Sequence, residues 1–315
     1  MAAREWRFAD VAVTPTAKEF DGIYRGKKQH ENDFDAVLER ASVAGVSKVM
    51  LTGMSLSDVD FILDIVRSRP QQCSMTIGVH PYNAAEPDKD PKYLANLSDR
   101  INQVLQETPR FLSAFGELGL DYDRLVHAST EVQIRTFKAQ LELFVKEQWD
   151  LPLFLHCRAA CQDFIEVLKP YVSLLPRGGL VHSFVGSKDE MLSLVDMGHH
   201  ISVNGFSFQD PESLEMVRAI PLDSLQLETD APWGYIPPNS ELAKKYPAPV
   251  ALPASKKRDK FERGLMVKER NESCAIGQVG SIVAGLKGLS IDEVVQAAWV
   301  NSNSMFRLAE DVGAR

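Results

Sequence analysis

Leu151-Pro152-Leu153-Phe154-Leu155-His156-Cys157-Arg158 is a short apolar run that ends on an imidazole and a guanidinium. A run this brief and this apolar suits a β-strand buried on both faces, and its polar end marks where the chain leaves the core. The form recurs on either side. Residues 111–116 run into Glu117, 179–181 into His182, and 225–228 lead to Asp230. Runs at 7–12, 48–52, 74–79 and 200–203 bring the number to eight. Most intervals carry helix patterns. Phe34, Val37, Leu38 and Ala41 share one helical face, as do Phe137, Leu141, Phe144 and Val145. Ser187 with Glu190, and Ser290 with Glu293 ahead of Val294, Val295, Ala298 and Trp299, read as capping boxes at helix starts.

Strand alternating with helix, eight times over, predicts a parallel sheet closed into a (β/α)8 TIM barrel with the helices outside. An open doubly wound sheet requires a glycine-rich phosphate turn after its first strand, where Asp10-Val11-Ala12-Val13-Thr14 stands instead. Barrels of this kind run past ~250 residues as one unit, so residues 1–315 are expected to form a single domain. The one break in rhythm is 234–274, with Pro237, Pro238, Pro247, Pro249 and Pro253, then Lys256-Lys257-Arg258. A connection this long is a functional or a disordered loop. The basic run is read as a solvated face, with a phosphate-contacting lid as the alternative.

A net charge of -8 argues against a broad basic surface gripping duplex DNA, though not against a local phosphate site. Cys73, Cys157, Cys161 and Cys274 form no C-x-x-C pair and are expected to be thiols. Met1-Ala2-Ala3-Arg4-Glu5-Trp6 holds no apolar stretch of signal-peptide length, and no later segment is of membrane-spanning length. A cytosolic or nuclear protein without a membrane or obligate protein partner is expected.

In a barrel the chemistry sits at the carboxyl ends of the strands. Glu117, His156, His182 and Asp230 all fall there, two carboxylates and two imidazoles that suit Zn, Mn or, with more water, Mg. Taken singly, each histidine reads as a buried core residue, Glu117 as a rim ion pair and Asp230 as a turn cap. Taken together, four unrelated polar residues at a buried rim would each need a separate partner. His80, before Pro81 at the end of the third run, is read three ways: holding a ligand in place, contacting substrate, or structural. Arg158 follows His156 by two and shares its side of the strand, where it meets either a phosphate or an acid such as Glu117 or Asp121. Asn204, in Asn204-Gly205-Phe206, is a candidate substrate donor, and Trp233 and Tyr235 are weak candidates for stacking on a base.

The segments 20–27 (F-D-G-I-Y-R-G-K), 78–81 (G-V-H-P), 116–121 (G-E-L-G-L-D), 155–158 (L-H-C-R), 182–186 (H-S-F-V-G), 227–232 (L-E-T-D-A-P) and 270–272 (R-N-E) together resemble the TatD-type deoxyribonuclease family of metal-dependent hydrolases. The resemblance spans most of the chain in order. It implies a single barrel, magnesium-dependent nuclease activity that often trims DNA from the 3′ end, and Glu117, His156, His182 and Asp230 as ligands. Many relatives open with D-x-H-x-H, whereas positions 12 and 14 here are Ala12 and Thr14. A branch resembling the eukaryotic TatD proteins shares that gap, which favours one firm metal and a looser second. Ser183 and Val185 also stand where relatives often have Cys and Ser or Thr.

The reading that follows is phosphodiester hydrolysis on DNA with a divalent ion, Mg2+ ahead of Mn2+ or Zn2+. Glu117, Asp230 and His80 are assigned to catalysis; Arg158, Arg25, Lys27 and Asn204 are assigned to substrate. Two alternatives stay open: an amidohydrolase-type enzyme for a small substrate, and a non-catalytic barrel with a weakened metal site.

Overall fold

The computed structural model describes residues 6–308; residues 1–5, most of the segment read for a targeting signal, lie outside them. Eight parallel strands form one sheet in chain order: β1 (Phe8–Val13), β2 (Val46–Leu51), β3 (Cys73–Ile77), β4 (Leu112–Asp121), β5 (Leu153–Arg158), β6 (Gly179–His182), β7 (His199–Val203) and β8 (Leu225–Leu227). The architecture is a (β/α)8 barrel. Around the sheet run α1 (Phe34–Val43), α2 (Val59–Ser68), α3 (Tyr93–Leu105), α4 (Thr130–Glu147), α5 (Cys161–Leu168), α6 (Lys188–Asp196), α7 (Pro211–Ala219), α8 (Ile276–Lys287) and α9 (Ile291–Phe306). Both capping boxes form, Ser187 with Glu190 on α6 and Ser290 with Glu293 on α9. On α4, Phe137, Leu141 and Phe144 are buried, while Val145 is only half-buried and Gln133, Thr136 and Gln140 complete the inner face.

The strands are buried on both sides because two separate cores use them. The larger core lies between sheet and helices. The smaller fills the lumen with Ala9, Val11, Met50, Ala114, Phe154 and Leu180, and Met305, Phe306 and Leu308 plug it from the end of α9. Since the plug occupies the amino-terminal end of the barrel, the lumen opens only at the carboxyl ends of the strands.

β8 is three residues long, and the seam with β1 has a single bridge, Val13 to Ala231. A side chain does the rest. The Asp10 carboxylate accepts from Thr229 N (2.9 Å), Thr229 Oγ1 (2.6 Å) and Ser273 Oγ (2.6 Å), tying β1 to the chain after β8.

The long Pro-rich segment is neither structureless nor disordered. It carries a helical turn at Glu241–Lys245 and a two-stranded parallel pair, Ser255–Lys256 with Met266–Val267. It returns to the barrel through a buried charge cluster. Arg270 donates to Asp33 (2.6 and 2.7 Å) and Glu272 (2.8 Å), and Arg40 donates to Glu272 (2.7 and 3.1 Å). Two guanidiniums and two carboxylates balance one another, the condition for burying charge at tolerable cost. Among the described residues no single helix is long and apolar enough to cross a membrane.

Candidate metal centre

β4 continues through Glu117 to Asp121, so Glu117 sits within a strand and not after it. Its register with β5 shifts between Gly116 and Leu118. Only glycine fits at 116 and 119, because a Cβ there would collide with the carbonyl oxygens of Phe154 and His156. This close approach brings Glu117 beside β5. In turn, β5 and β6 pair with His156 directly opposite His182, so the two rings stand side by side.

The result is a triangle of lone pairs. Glu117 Oε1 lies 2.8 Å from His156 Nδ1 and 2.6 Å from His182 Nε2, and the two nitrogens are 3.4 Å apart. Each imidazole has a second carboxylate on its other nitrogen. His156 Nε2 is 3.0 Å from Asp121 Oδ2, and His182 Nδ1 is 3.5 Å from Glu228 Oε1, longer than a hydrogen bond. A carboxylate behind an imidazole fixes which nitrogen carries the proton, and leaves the other to face a cation.

The charges press in one direction. Burial opposes ionisation of Glu117, yet the charge of His182 and the hydrogen bonds from His156 and His182 hold its carboxyl well below the usual range. Burial likewise opposes charging of His182, but Glu117 and Glu228 hold it well above the ordinary imidazole value. His156 is raised against its burial by Asp121 and Glu117. Asp230 is pushed well up by burial and, against the pull of His182, by repulsion from Glu228 and Glu117. These shifts mark a site that favours positive charge. A mixed N/O donor set held this way fits a divalent ion.

His80 is different. Its Nδ1 accepts from Tyr82 N (3.0 Å), so the neutral ring carries its proton on Nε2, 3.3 Å from Glu117 Oε1. Burial lowers its pKa and keeps it neutral, against the charge of Glu117. His80 Nε2, Glu117 and His156 are close enough to hold an ion together. The tautomer, however, makes His80 a donor in place of a ligand.

These groups line a cavity of about 360 Å³, shared with Thr14, Tyr82, Arg124, Arg158, Asp230 and Trp233. Asp230 makes no side-chain hydrogen bond among the described residues. Arg158 pairs through Nε with Asp123 (2.8 Å), not with Glu117 or Asp121. Asn204 lies fully buried and does not line the cavity, donating to Ser183 Oγ and Glu228 Oε1 (both 2.8 Å) and accepting from Phe206 N (2.8 Å). Arg25 and Lys27 are also displaced, to an exposed hairpin (Ile23–Tyr24 with Lys27–Lys28) outside the cavity. Trp233 lines the mouth and Tyr235 does not. Thr14 ends the first strand where the cavity begins and offers a hydroxyl, while Ala12 is buried in the lumen.

Sequence reasoning passed over Asp121 as an imidazole partner, although it lies four residues beyond Glu117 in an extended strand, an even spacing that favours a shared face. It also missed Glu228, two before Asp230, and Asp10, whose pairing to the eighth strand is purely tertiary.

A family model described as TatD related DNase matches residues 11–307. A Schizosaccharomyces pombe protein described as Deoxyribonuclease Tat-D is 40% identical over 94% of this chain and 94% of its own length. An Erwinia amylovora protein described as 3′-5′ ssDNA/RNA exonuclease TatD is 32% identical over 91% of this chain and 98% of its own. Among solved structures, one described as an uncharacterized amidohydrolase from Saccharomyces cerevisiae superposes with a TM-score of 0.87 at 30% identity, covering 96% of this chain and all of that one.

Proposed function

The chain belongs to the TatD-related DNase family, and from that footing we propose that it is a divalent-metal-dependent deoxyribonuclease that hydrolyses phosphodiester bonds in the 3′-5′ direction. The observation that carries this reading is the triangle of His156 Nδ1, His182 Nε2 and Glu117 Oε1. Glu117, His156, His182 and Asp230 would hold the ion. When bound, it polarises a phosphoryl oxygen and acidifies water.

The chain's own groups supply the rest. Asp230, in the cavity and without a side-chain hydrogen bond among the described residues, would ligate the ion or orient the attacking water and take its proton. His80 Nε2–H donates to Glu117 and holds that carboxylate in place. Arg158 keeps both terminal nitrogens free of Asp123 and receives the non-bridging oxygens. Asp121 and Glu228 hold the two imidazole rings in orientation. The polarity is supported by the description of the Erwinia relative.

Mg2+ is the ion we assign, with Mn2+ replacing it at lower concentration, because two imidazole nitrogens favour the later metal. One firm site is proposed, since Ala12 and Thr14 bring no nitrogen ligand from the first strand. The test is digestion of end-labelled single- and double-stranded oligonucleotides. Chelator should abolish a ladder shortening from the 3′ end and Mg2+ restore it, while Asp230→Ala lowers the rate roughly 10²–10⁴-fold. Full activity from that variant would overturn the assignment.

A further inference from the structure

Two exposed segments rise from the same end of the barrel on either side of the seam. The hairpin follows β1, and residues 23–29 carry Arg25, Lys27 and Lys28 with no acid. The other belongs to the long connection after β8, and residues 255–263 carry Lys256, Lys257, Arg258, Lys260 and Arg263 against Asp259 and Glu262. In a chain of net charge -8 this concentration of cations is out of keeping with the rest.

Tertiary contacts weld the segments together. His30 stacks on Phe261 with ring centroids 4.3 Å apart and planes 10° from parallel. The Arg258 guanidinium sits 5.1 Å over the Tyr24 ring, and Tyr24 Oη lies 3.1 Å from His30 Nε2. Arg263 Nη1 donates to Asn32 O (3.3 Å), and Arg40 Nη1 donates to Arg263 O (2.9 Å). Lys256 pairs with Glu262 and Arg263 with Glu31. Arg25, Lys27, Lys257, Arg258 and Lys260 have no acid partner among the described residues. Arg258 is offset only by the Tyr24 ring, and like charges gathered on two joined segments repel one another, a cost that a polyanion would relieve.

The segments spring from residues that line the cavity, Thr14 on one side and Asp230 and Trp233 on the other. Trp233, 38% exposed, lines the cavity and offers an aromatic face there. Basic surface next to an aromatic platform is how single-stranded nucleic acid is held without regard to sequence.

We propose that the hairpin and the 256–260 run form a docking surface for the phosphate backbone of single-stranded nucleic acid, engaging nucleotides beyond those in the metal cavity. The identity of the polyanion rests on the nuclease reading. The surface itself does not, and it makes Arg25 and Lys27 substrate contacts at a distance.

The test separates binding from cleavage. Fluorescence anisotropy of an oligothymidylate about 20 nucleotides long, measured in EDTA over a salt series, should show the Lys257→Ala/Arg258→Ala/Lys260→Ala variant binding roughly tenfold more weakly, with a salt slope shallower by about 2. With Mg2+, hydrolysis of thymidine 5′-(p-nitrophenyl phosphate), too short to reach the surface, should be unchanged. The charge-reversed Lys257→Glu/Lys260→Glu protein should bind more weakly still with an unaltered thermal midpoint. Equal affinity and slope for wild type and the triple variant overturn the proposal. So does variant-sensitive binding to phosphatidylserine vesicles without binding to the oligonucleotide. Variant-sensitive oligonucleotide binding without Mg2+-dependent hydrolysis of any strand upholds the surface and sinks the nuclease reading.

Discussion

His156 and His182 share one carboxylate oxygen, and the consequence is a competition between protons and metal. Glu117 and Glu228 hold His182 protonated past its ordinary range, although burial works against them. An ion taking His156 Nδ1 and His182 Nε2 must therefore expel protons. Metal affinity should rise with pH and fall on acidification, with one to two protons released per ion in calorimetry across buffers of differing ionisation enthalpy. The sign for stability is opposite in the metal-free protein. A raised imidazole pKa stabilises the fold fully at low pH, and that contribution is lost as pH rises through the folded value. The gap in thermal midpoint between metal-loaded and metal-free protein should thus widen with pH; a gap independent of pH would contradict this arrangement. At this scale the four candidate donors stood out in the sequence because each closes an apolar run. Asp121, Glu228 and the partners of Asn204 did not, since they depend on contacts 21 to 46 residues away on other strands.

Where β1 meets β8, one bridge and one carboxylate join the elements. Burial pushes the Asp10 carboxyl up to about 7, against the pull of its hydroxyl and amide donors. The folded state then keeps a proton that the unfolded chain has released above its ordinary value of 3.8. Stability from this group is complete below that value, declines as pH rises to about 7, and is flat beyond. Urea titrations should find that slope in the wild type and lose it in Asp10→Asn, which still accepts from Thr229 N. Asp10→Ala should cost about 1–3 kcal/mol by leaving Thr229 and Ser273 donors without an acceptor. Strand starts were readable to within two residues from apolar runs. The length of β4 was not, because Gly116 and Gly119 look like strand ends in sequence and act as points of close approach in three dimensions.

Across the whole molecule, the charge cluster of Arg40, Asp33, Arg270 and Glu272 binds the long connection to α1. Arg270→Met leaves Asp33 and Glu272 short of a partner and should cost about 3–5 kcal/mol in chemical denaturation. A change below 1 kcal/mol would show that water or Arg40 compensates. The eightfold alternation followed from patterning that any parallel barrel must display, whereas the plug of Met305, Phe306 and Leu308 was not read from it. The association of residues 23–29 with 255–263 did not, for it hangs on His30, Tyr24, Phe261 and Arg258 meeting across more than 200 positions.

That connection is pinned at both ends, by Asp230 and Trp233 at the mouth and by Arg270 and Glu272 in the cluster, while Val250 and Leu252 between them stand 48% and 37% exposed. A connection fixed at its feet with an exposed crest pays only the logarithm of its length: doubling it costs roughly 0.6 kcal/mol in closure entropy. Lineages can therefore lengthen, shorten or embellish this crest without disturbing the barrel, and a reporter peptide spliced near Leu252 should be carried without loss of fold.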